Sequence, residues 1–543
     1  MRRGLATLLG LLLVMGLSAV AFAGPGSVVI KTDGDITATF GAQVRVIPVY
    51  EQDWDFGIKN KTVFGKTNPL GGVFLNHLTE AGVVNRAYIR SEDRLYFNFA
   101  KGDIWDVYMA LEFDDVLSSR TVDRVRDVQG NVSSFGLERL SASIKLPWIF
   151  SRFYAGWDIY AVDLDTALLV YGDDDPGFWL KGGVANVDWQ FGYHKKEEAN
   201  RAFLVRGGAT LVNTGGDNDR DILSFRVNYT LFKDTKIGLI YTWDRLALSN
   251  VAGVPVPPCG PTGPTCPEVD SHHIGPVVIA NIAGFKFTGQ YVHQFGEARK
   301  TGVNKFGAVP GSPGAQDYDI DAHAFLADLA YDLTPWIGFR LIPHVGVIWA
   351  SGDDNPNDST LGGYVGNVDG QRFTPIFGGE NTILADNNNV IGTNLYSFVP
   401  NLRGNQNSGL VTGGFLGTGR GDSPGILLVG GGITVAPTKN SIYRTNAYYL
   451  RYDEKPCVNP GDFPLLTPPP SACPADSNII SHREIGVGWD NEIMVWLDKN
   501  MVVKGQFSFL FPGDAVKDLT RNLVGQPVDE TAIRLALELL WNF

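Results

Sequence analysis

Residues 529–543 read Asp-Glu-Thr-Ala-Ile-Arg-Leu-Ala-Leu-Glu-Leu-Leu-Trp-Asn-Phe, and this stretch decides the fold of the chain. Every second position is apolar, namely Ile533, Leu535, Leu537, Leu539, Trp541 and Phe543, while Arg534, Glu538 and Asn542 lie between them. Ala, Leu, Glu and Arg favour helices, but a helical stripe does not keep odd-number parity over six positions. A period of two therefore predicts a β-strand with one apolar and one polar face.

Alternating segments of this kind recur along the whole chain and number about 18. We expect strands near 34–50, 84–100, 104–115, 136–147, 151–162, 176–186, 187–195, 220–232, 236–247, 273–282, 285–296, 320–332, 336–351, 425–436, 441–453, 481–497, 501–511 and 529–543. The sequence therefore predicts an all-β fold.

The connections between these segments alternate between two lengths. Tight turns are predicted at 101–103, 233–235, 282–284 and 498–500. Long polar connections are predicted near 51–83, 116–135, 163–175, 196–219, 248–272, 297–319, 352–424, 454–480 and 512–528. Short turns on one rim and long loops on the other are typical of a transmembrane antiparallel β-barrel with periplasmic turns and extracellular loops.

The first 23 residues have the layout of a secretory signal peptide. Arg2 and Arg3 precede an apolar core from Leu8 to Leu17, and Ala21-Phe22-Ala23 supplies a small-x-small cleavage site. We expect residues 24–543 to form the mature, exported protein. No later window approaches the roughly 18 to 20 continuous apolar residues of a spanning helix, so a place in the membrane would require a barrel.

Charge and cysteine content narrow the classes of partner. The formal net charge is −13, and loss of Arg2 and Arg3 with the signal peptide would leave −15, which argues against nucleic acid. In an exported chain, the local pairs Cys259 with Cys266 and Cys457 with Cys473 predict two disulfides within long loops. We expect no cofactor, because no Cys-x-x-Cys-His motif is present and the cysteine spacing does not fit a zinc site.

The connection at 352–424 is rich in Gly and Asn, and loops of this length in compact proteins usually have a function or are disordered. We expect part of it to fold over or into the pore and to narrow it.

Parity assigns side chains to the lumen, because the apolar face of each strand must meet lipid. On the 84–100 strand, Leu95, Phe97 and Phe99 would face outward. The residues predicted in this way to line the pore are Arg45, Arg86, Arg90, Glu92, Arg94, Asp106, Glu112, Arg139, Arg152, Asp158, Arg226, Arg340, Asp490, Glu492 and Arg534. Such a lumen is mixed in charge and slightly basic.

Arg86, Arg90 and Arg94 form a row of like charges at a spacing of four residues, about 13 Å by strand rise. In a narrow pore of low dielectric constant, such a row would favour anionic or polyhydroxylated solutes. Alternatively, the lumenal charges pair with one another and simply hydrate the barrel wall.

Three segments resemble known proteins. The terminal strand, which ends on Phe543, resembles the closing strand of bacterial outer-membrane barrels, which the barrel-assembly machinery recognises. Residues 484–493 and 505–514, two strands followed by Pro-Gly, resemble outer-membrane porins of the alginate-export type. Arg-Phe-Tyr-Ala-Gly-Trp-Asp at 152–158 is similar to an early segment of that family, although Trp157 and Asp158 replace basic and amide residues. The resemblance implies a barrel of about 18 strands in the outer membrane. It also implies diffusion of a small polar or anionic solute, including a polysaccharide such as alginate.

The sequence bears on three other functions, namely hydrolysis, calcium binding and a sleeve around a partner protein. A hydrolase would need a histidine beside a nucleophile, and the best buried candidate, His344, is expected near Arg340 without a Gly-x-Ser-x-Gly motif. Acidic runs such as 173–175 lack the glycine of an EF-hand loop and read as solvated loop charge rather than calcium sites. A barrel that serves as a sleeve for a partner, such as a cytochrome, stays open as an alternative, as does the oligomeric state.

Overall fold

The computed structural model describes only part of the chain. The described residues are 28–31, 34–53, 56, 86–117, 135–166, 169–198, 219–247, 268–299, 303–304, 307–308, 317–355, 358–368, 424–455, 480–524 and 526–543. The predicted signal peptide and all four cysteines lie outside these ranges, so the cleavage and the two disulfides stay predictions.

The described residues form a closed antiparallel barrel of 18 strands, as the sequence predicts. The strands are β1 (Ile36–Gln52), β2 (Arg86–Lys101), β3 (Trp105–Val116), β4 (Phe135–Leu146), β5 (Ser151–Trp157), β6 (Pro176–Val184), β7 (Val187–Glu198), β8 (Asp219–Phe232), β9 (Thr235–Ala247), β10 (Glu268–Ile282), β11 (Phe285–Arg299), β12 (Tyr318–Tyr331), β13 (Arg340–Ala350), β14 (Ile426–Thr438), β15 (Ser441–Arg451), β16 (Glu484–Asp498), β17 (Met501–Pro512) and β18 (Ala532–Asn542). Each strand pairs with its neighbours in sequence.

The terminal strand closes the barrel. β18 pairs with β17 on one side and with β1 on the other, and Gln43 lies opposite Asn542. The last residue takes part, because the Ala42 N–H donates to the Phe543 carbonyl at 2.7 Å and the Phe543 N–H donates back at 2.9 Å. Closure matters because no backbone edge is then left without hydrogen-bond partners.

The connections on the two rims differ in length as the sequence predicts, because residues 53–85 separate β1 from β2 on one rim and two residues separate β10 from β11 on the other. The β10–β11 turn consists of Ala283 and Gly284, with φ of 51° and 87°. Two consecutive residues with positive φ form the tight hairpin turn that matches the twist of the strands. The connection from β12 to β13 is longer and contains a helical turn, Thr334–Ile337, where the sequence predicts strand from residue 336.

Alternation separates an apolar outer face from a polar inner one. On β8, Phe225, Tyr229 and Leu231 are 36–47% exposed, whereas Ser224 and Arg226 between them are buried inside the barrel. Large exposed apolar side chains of this kind recur on neighbouring strands, including Ile237, Leu239, Phe285 and Leu329. Apolar side chains also lie on the inner face: Ile47 and Val49 pack against Ala536, and a larger buried cluster includes Ile222, Ile240 and Leu326.

Several smaller elements connect the strands on the long-loop rim. Helix α1 (Asp514–Val524) lies between β17 and β18 and packs on β16, with Ala515 and Val516 buried in the core. Three short strands, Tyr160–Ala161, Tyr171–Asp173 and Asn367–Val368, form a small sheet of their own. None of the helices in the described ranges combines the length and hydropathy needed to cross a bilayer.

Candidate pore and its lining

The connection from β5 to β6 enters the barrel. We call its described residues, 158–166 and 169–173, the lumen segment. The Ser224 hydroxyl donates to the Tyr160 hydroxyl at 3.0 Å, and Gln190 donates to the carbonyls of Ala161 and Val162. Arg226 on β8 donates to Asp165 at 2.5 Å. The sequence predicts 163–175 as an outer loop, but these contacts lie near the middle of β7 and β8.

Asp163 holds the lumen segment in its fold. Its carboxylate accepts the backbone N–H of Leu169 at 2.8 Å and of Val170 at 2.9 Å, and it accepts the side-chain amide of Gln290 at 2.9 Å. The side chain is fully buried. Burial raises the pKa of Asp163 above its usual value, although hydrogen bonds from Gln290, Val170 and Tyr171 oppose that shift.

Residues 358–368, which belong to the long connection from β13 to β14, form a second lumen segment. The Val365 N–H donates to Gln294 at 2.9 Å, and its carbonyl lies 2.9 Å from His273 Nε2. Tyr364 donates to the Leu169 carbonyl at 2.6 Å, which joins the two lumen segments. Constriction of the pore by 352–424 stays a prediction, since residues 369–423 lie outside the described ranges.

An aromatic cluster lines the wall where the lumen segment leaves β5. The Tyr154 and Trp179 rings stack with centroids 5.3 Å apart, and Tyr160 lies 4.5 Å from the His194 ring. The Lys181 ammonium lies 5.9 Å from the Tyr154 centroid and 5.6 Å from that of Tyr160. Faces of aromatic rings attract cations, and within the described ranges no carboxylate lies at ion-pair distance from Lys181.

The remaining wall carries a charged belt over eight consecutive strands, from β15 through β18 and on to β1–β4. We define the charged belt by its six basic and six acidic side chains, Arg45, Arg90, Arg94, Arg139, Arg444, Lys504, Glu92, Glu112, Asp114, Glu138, Glu492 and Glu538. Formal charge is therefore balanced along this wall.

Arg94 is the centre of the belt on β2. Its guanidinium contacts Glu92 at 2.6 Å and Glu138 at 2.9 Å, and it also pairs with Glu112. Arg90 pairs with Asp114 at 2.5 Å. The arginine row predicted from sequence is thus a row of paired charges on the described side chains, while the side chain of Arg86 is not described.

A β-bulge brings an unpredicted carboxylate into the belt. Ala110 pairs with Arg139 and Leu111 pairs with Leu137, so Glu138 is an extra residue on β4. Glu138 and Arg139 therefore both have largely buried side chains, although strict alternation would turn one of them outward. No feature of the sequence signals the bulge.

Four other predicted pore residues also have partners. Arg152 pairs with Asp106 at 2.5 Å, Arg534 pairs with Glu51 at 3.0 Å, Asp158 accepts the Ser141 hydroxyl at 2.7 Å, and Asp490 accepts the Tyr448 hydroxyl at 3.3 Å. Parity reasoning missed Arg220, which forms a buried pair with Asp244 at 2.7 Å.

His344 has a different neighbour from the one expected. The sequence places it near Arg340, but its Nδ1 lies 2.9 Å from Asp328 and its Nε2 lies 2.7 Å from Asn446. Four residues along a strand separate side chains by about 13 Å, whereas Asp328 is on the adjacent strand. The histidine is therefore a buried, hydrogen-bonded wall residue.

Comparisons with solved structures find barrels at low similarity. The Escherichia coli outer-membrane protein Wzi, described as a carbohydrate-binding β-barrel involved in capsule assembly, is 12% identical, with 92% of this chain and 83% of Wzi covered and a TM-score of 0.41. Pseudomonas aeruginosa OpdK, solved with vanillate, is 10% identical, with coverages of 93% and 99% and a TM-score of 0.43. Salmonella typhi OmpF, solved with daunomycin, is 7% identical, with coverages of 95% and 100% and a TM-score of 0.38.

No protein-family profile matches the chain. No curated protein sequence matches it either. At such low identities and TM-scores, the function has to be read from the residues of this chain.

Proposed function

We propose that the chain is a channel of the bacterial outer membrane through which small polar or anionic solutes diffuse. The observation that carries the proposal is the charged belt, which faces the lumen opposite the lumen segment. β2 and β11 are nine strands apart in a ring of 18, so Arg94 and Gln290 belong to opposite walls. A passage between these walls is lined by ion pairs and amides, which suit hydrated solutes.

Arg340 adds the preference for anions. Its side chain has the lumenal parity of Ile342 and His344 on β13, and it lies close enough to Arg444 for the two cations to repel each other. Within the described residues no carboxylate approaches Arg340 to ion-pair distance, although Asp332 attracts it from farther away. A cation that the wall does not neutralise favours anionic solutes at this end of the pore.

The test is the reversal potential of the purified barrel in a planar bilayer under a KCl gradient. We expect the wild-type channel to prefer chloride, and we expect Arg340→Ala to shift the potential toward potassium. Lys233→Ala, an exposed lysine in the β8–β9 turn, is the matched control and should leave the potential unchanged. A folded wild-type barrel that shows no conductance would refute the proposal that the chain forms a channel. Equal reversal potentials for wild type and Arg340→Ala would refute the proposal that Arg340 makes the channel prefer anions.

The resemblance to alginate-export porins adds an anionic polysaccharide to the candidate solutes. Uronate oligomers carry one carboxylate per sugar, so they should reduce the ion current while they pass Arg340. The two lumen segments occupy volume that a sleeve around a partner protein would need, which favours a channel over that alternative. Current that uronate oligomers leave unchanged would remove alginate from the proposal.

A further inference from the structure

Two histidines and an aspartate meet on the outer face of the barrel. His293 is on β11, and Asp321 and His323 are on β12. Their parity is that of the exposed side chains Tyr291, Phe295 and Phe325, so they point away from the lumen. The three potential ligand atoms all lie within 4.8 Å of one another.

The geometry is that of a set of ligands around one point. His293 Nε2 lies 2.9 Å from Asp321 Oδ1, and His323 Nε2 lies 3.7 Å from the same oxygen. The other ring nitrogen of His323 is 2.9 Å from the hydroxyl of Tyr291. A hydrogen bond to the far nitrogen of an imidazole fixes the orientation of its ring, as it does in metal sites.

The site lies on the outer face of the barrel, toward the long-loop rim, where the apolar residues of that face give way to charged ones. On β12 the outward-facing residues change from Asp319 and Asp321 to Phe325 and Leu329, with His323 between them. A shallow groove beside the site is lined by further acidic residues, Asp270, Glu297 and Asp319. Arg299 pairs with Glu297 and Asp319, so the three acidic residues and this arginine together keep a net negative formal charge, which raises the local concentration of cations.

We propose that His293, Asp321 and His323 bind a divalent transition-metal ion of the zinc type at this rim. Two imidazoles and a carboxylate suit Zn²⁺ and its neighbours in the first transition series, whereas Ca²⁺ and Mg²⁺ prefer oxygen ligands throughout. The side chains are 35–62% exposed, which leaves further coordination positions open to water or to an anionic oxygen from outside. Tyr291 acts as a positioning residue for His323.

A simpler interpretation is that His293 and Asp321 form an ordinary cross-strand ion pair. That interpretation extends to His323, whose ring stacks on that of His293 with centroids 4.7 Å apart, and it requires no metal ion. It predicts that removing His323 has no effect on metal binding, which makes the two readings separable.

The experiment measures Zn²⁺ binding by the barrel, purified in detergent without a polyhistidine tag, by isothermal titration calorimetry. We expect one equivalent of Zn²⁺ per chain, at least tenfold weaker binding for His293→Ala and for His323→Ala, and about tenfold weaker binding for Tyr291→Phe. His272→Ala is the matched control, because His272 faces outward on the neighbouring strand and lines the same groove without belonging to the ligand set.

A circular dichroism spectrum typical of β-structure checks that each variant is folded. Absence of stoichiometric Zn²⁺ binding by wild type would overturn the proposal. So would wild-type affinity in His323→Ala, or competition by Ca²⁺ at equal concentration, since the latter would assign the binding to the acidic groove alone.

Discussion

Arg45 on the first strand and Glu538 on the last strand form a buried ion pair of 3.0 Å across the seam that closes the barrel. The two residues are 493 positions apart in the chain. Glu538 also accepts Lys504 at 2.8 Å, and Arg45 also contacts Glu92 at 2.6 Å. The seam is therefore held by charge as well as by the backbone ladder between β1 and β18.

Substitution of Glu538 should weaken the barrel. Glu538→Ala removes a buried carboxylate that pairs with both Arg45 and Lys504, so we expect a loss of about 2–4 kcal/mol in the free energy of unfolding. Urea titration of the barrel in lipid vesicles measures the change. Lys101→Ala is the matched control, since its pair with Asp35 is exposed, and a loss below about 0.5 kcal/mol is expected there. Equal losses in both variants would contradict the role of the seam.

Arg94 should control the charge of the passage. Arg94→Ala leaves Glu92, Glu112 and Glu138 with less positive charge beside them, so the belt becomes net negative. We expect the reversal potential to shift toward cations, and Arg94→Lys should shift it less because the charge is kept. A shift toward anions in Arg94→Ala would be inconsistent with the belt as described.

Asp163 should control the width of the passage. Asp163→Ala removes the acceptor of the Leu169 and Val170 N–H groups, each of which costs about 1–3 kcal/mol when buried without a partner. The lumen segment should then leave the wall, and single-channel conductance should rise. Asp354→Ala, an exposed acid on the outer rim, serves as the control. Unchanged conductance in Asp163→Ala would mean that the lumen segment does not limit the flow.

Docking of helix α1 should depend on pH through Asp518. Burial tends to raise the pKa of Asp518, but hydrogen bonds from the side chain and N–H of His482 and from the Ser481 N–H outweigh it, so the pKa lies below its ordinary value of 3.8. A lowered carboxyl pKa stabilises the docked helix above pH of about 3.8, and the contribution is lost as the pH falls through the lowered value. Hydrogen exchange of residues 514–524 measures this loss.

Asp518→Asn is the comparison for that measurement. Its amide carries no charge, so protection of the helix should be weaker at neutral pH and should change less between pH 5 and pH 3 than in wild type. Identical pH profiles for the two proteins would assign the docking to Ala515 and Val516 alone.

The strands could be predicted from sequence because a period of two is a local property. The parity of β18 predicts that Leu535 points outward and that Arg534 points into the barrel. In the structure Leu535 is exposed and Arg534 is buried, as predicted. Strand ends shift where other elements intervene, as the helical turn does before β13. The sequence does not predict helix α1, because residues 512–528 have the composition of a polar connection, although Asp514 and Arg521 suit its two ends.

The site could be predicted only in part, because parity gives the face of a residue but not its partner. Parity places Arg94 in the lumen, yet its contact with Glu138 depends on a bulge that no local pattern reports. The sequence predicts Asp163 in an outer loop, because hydrogen-bond partners such as Gln290 lie 127 positions away in the chain. His293 and His323 meet only through the register of β11 and β12.

Single-channel recording of the purified, refolded barrel in a planar lipid bilayer tests the central claim most directly. A polar passage between the charged belt and the lumen segment predicts discrete current steps in 1 M KCl, with larger steps in Asp163→Ala than in wild type. A barrel that is folded by circular dichroism yet passes no current in either protein would contradict the claim that this chain forms a channel.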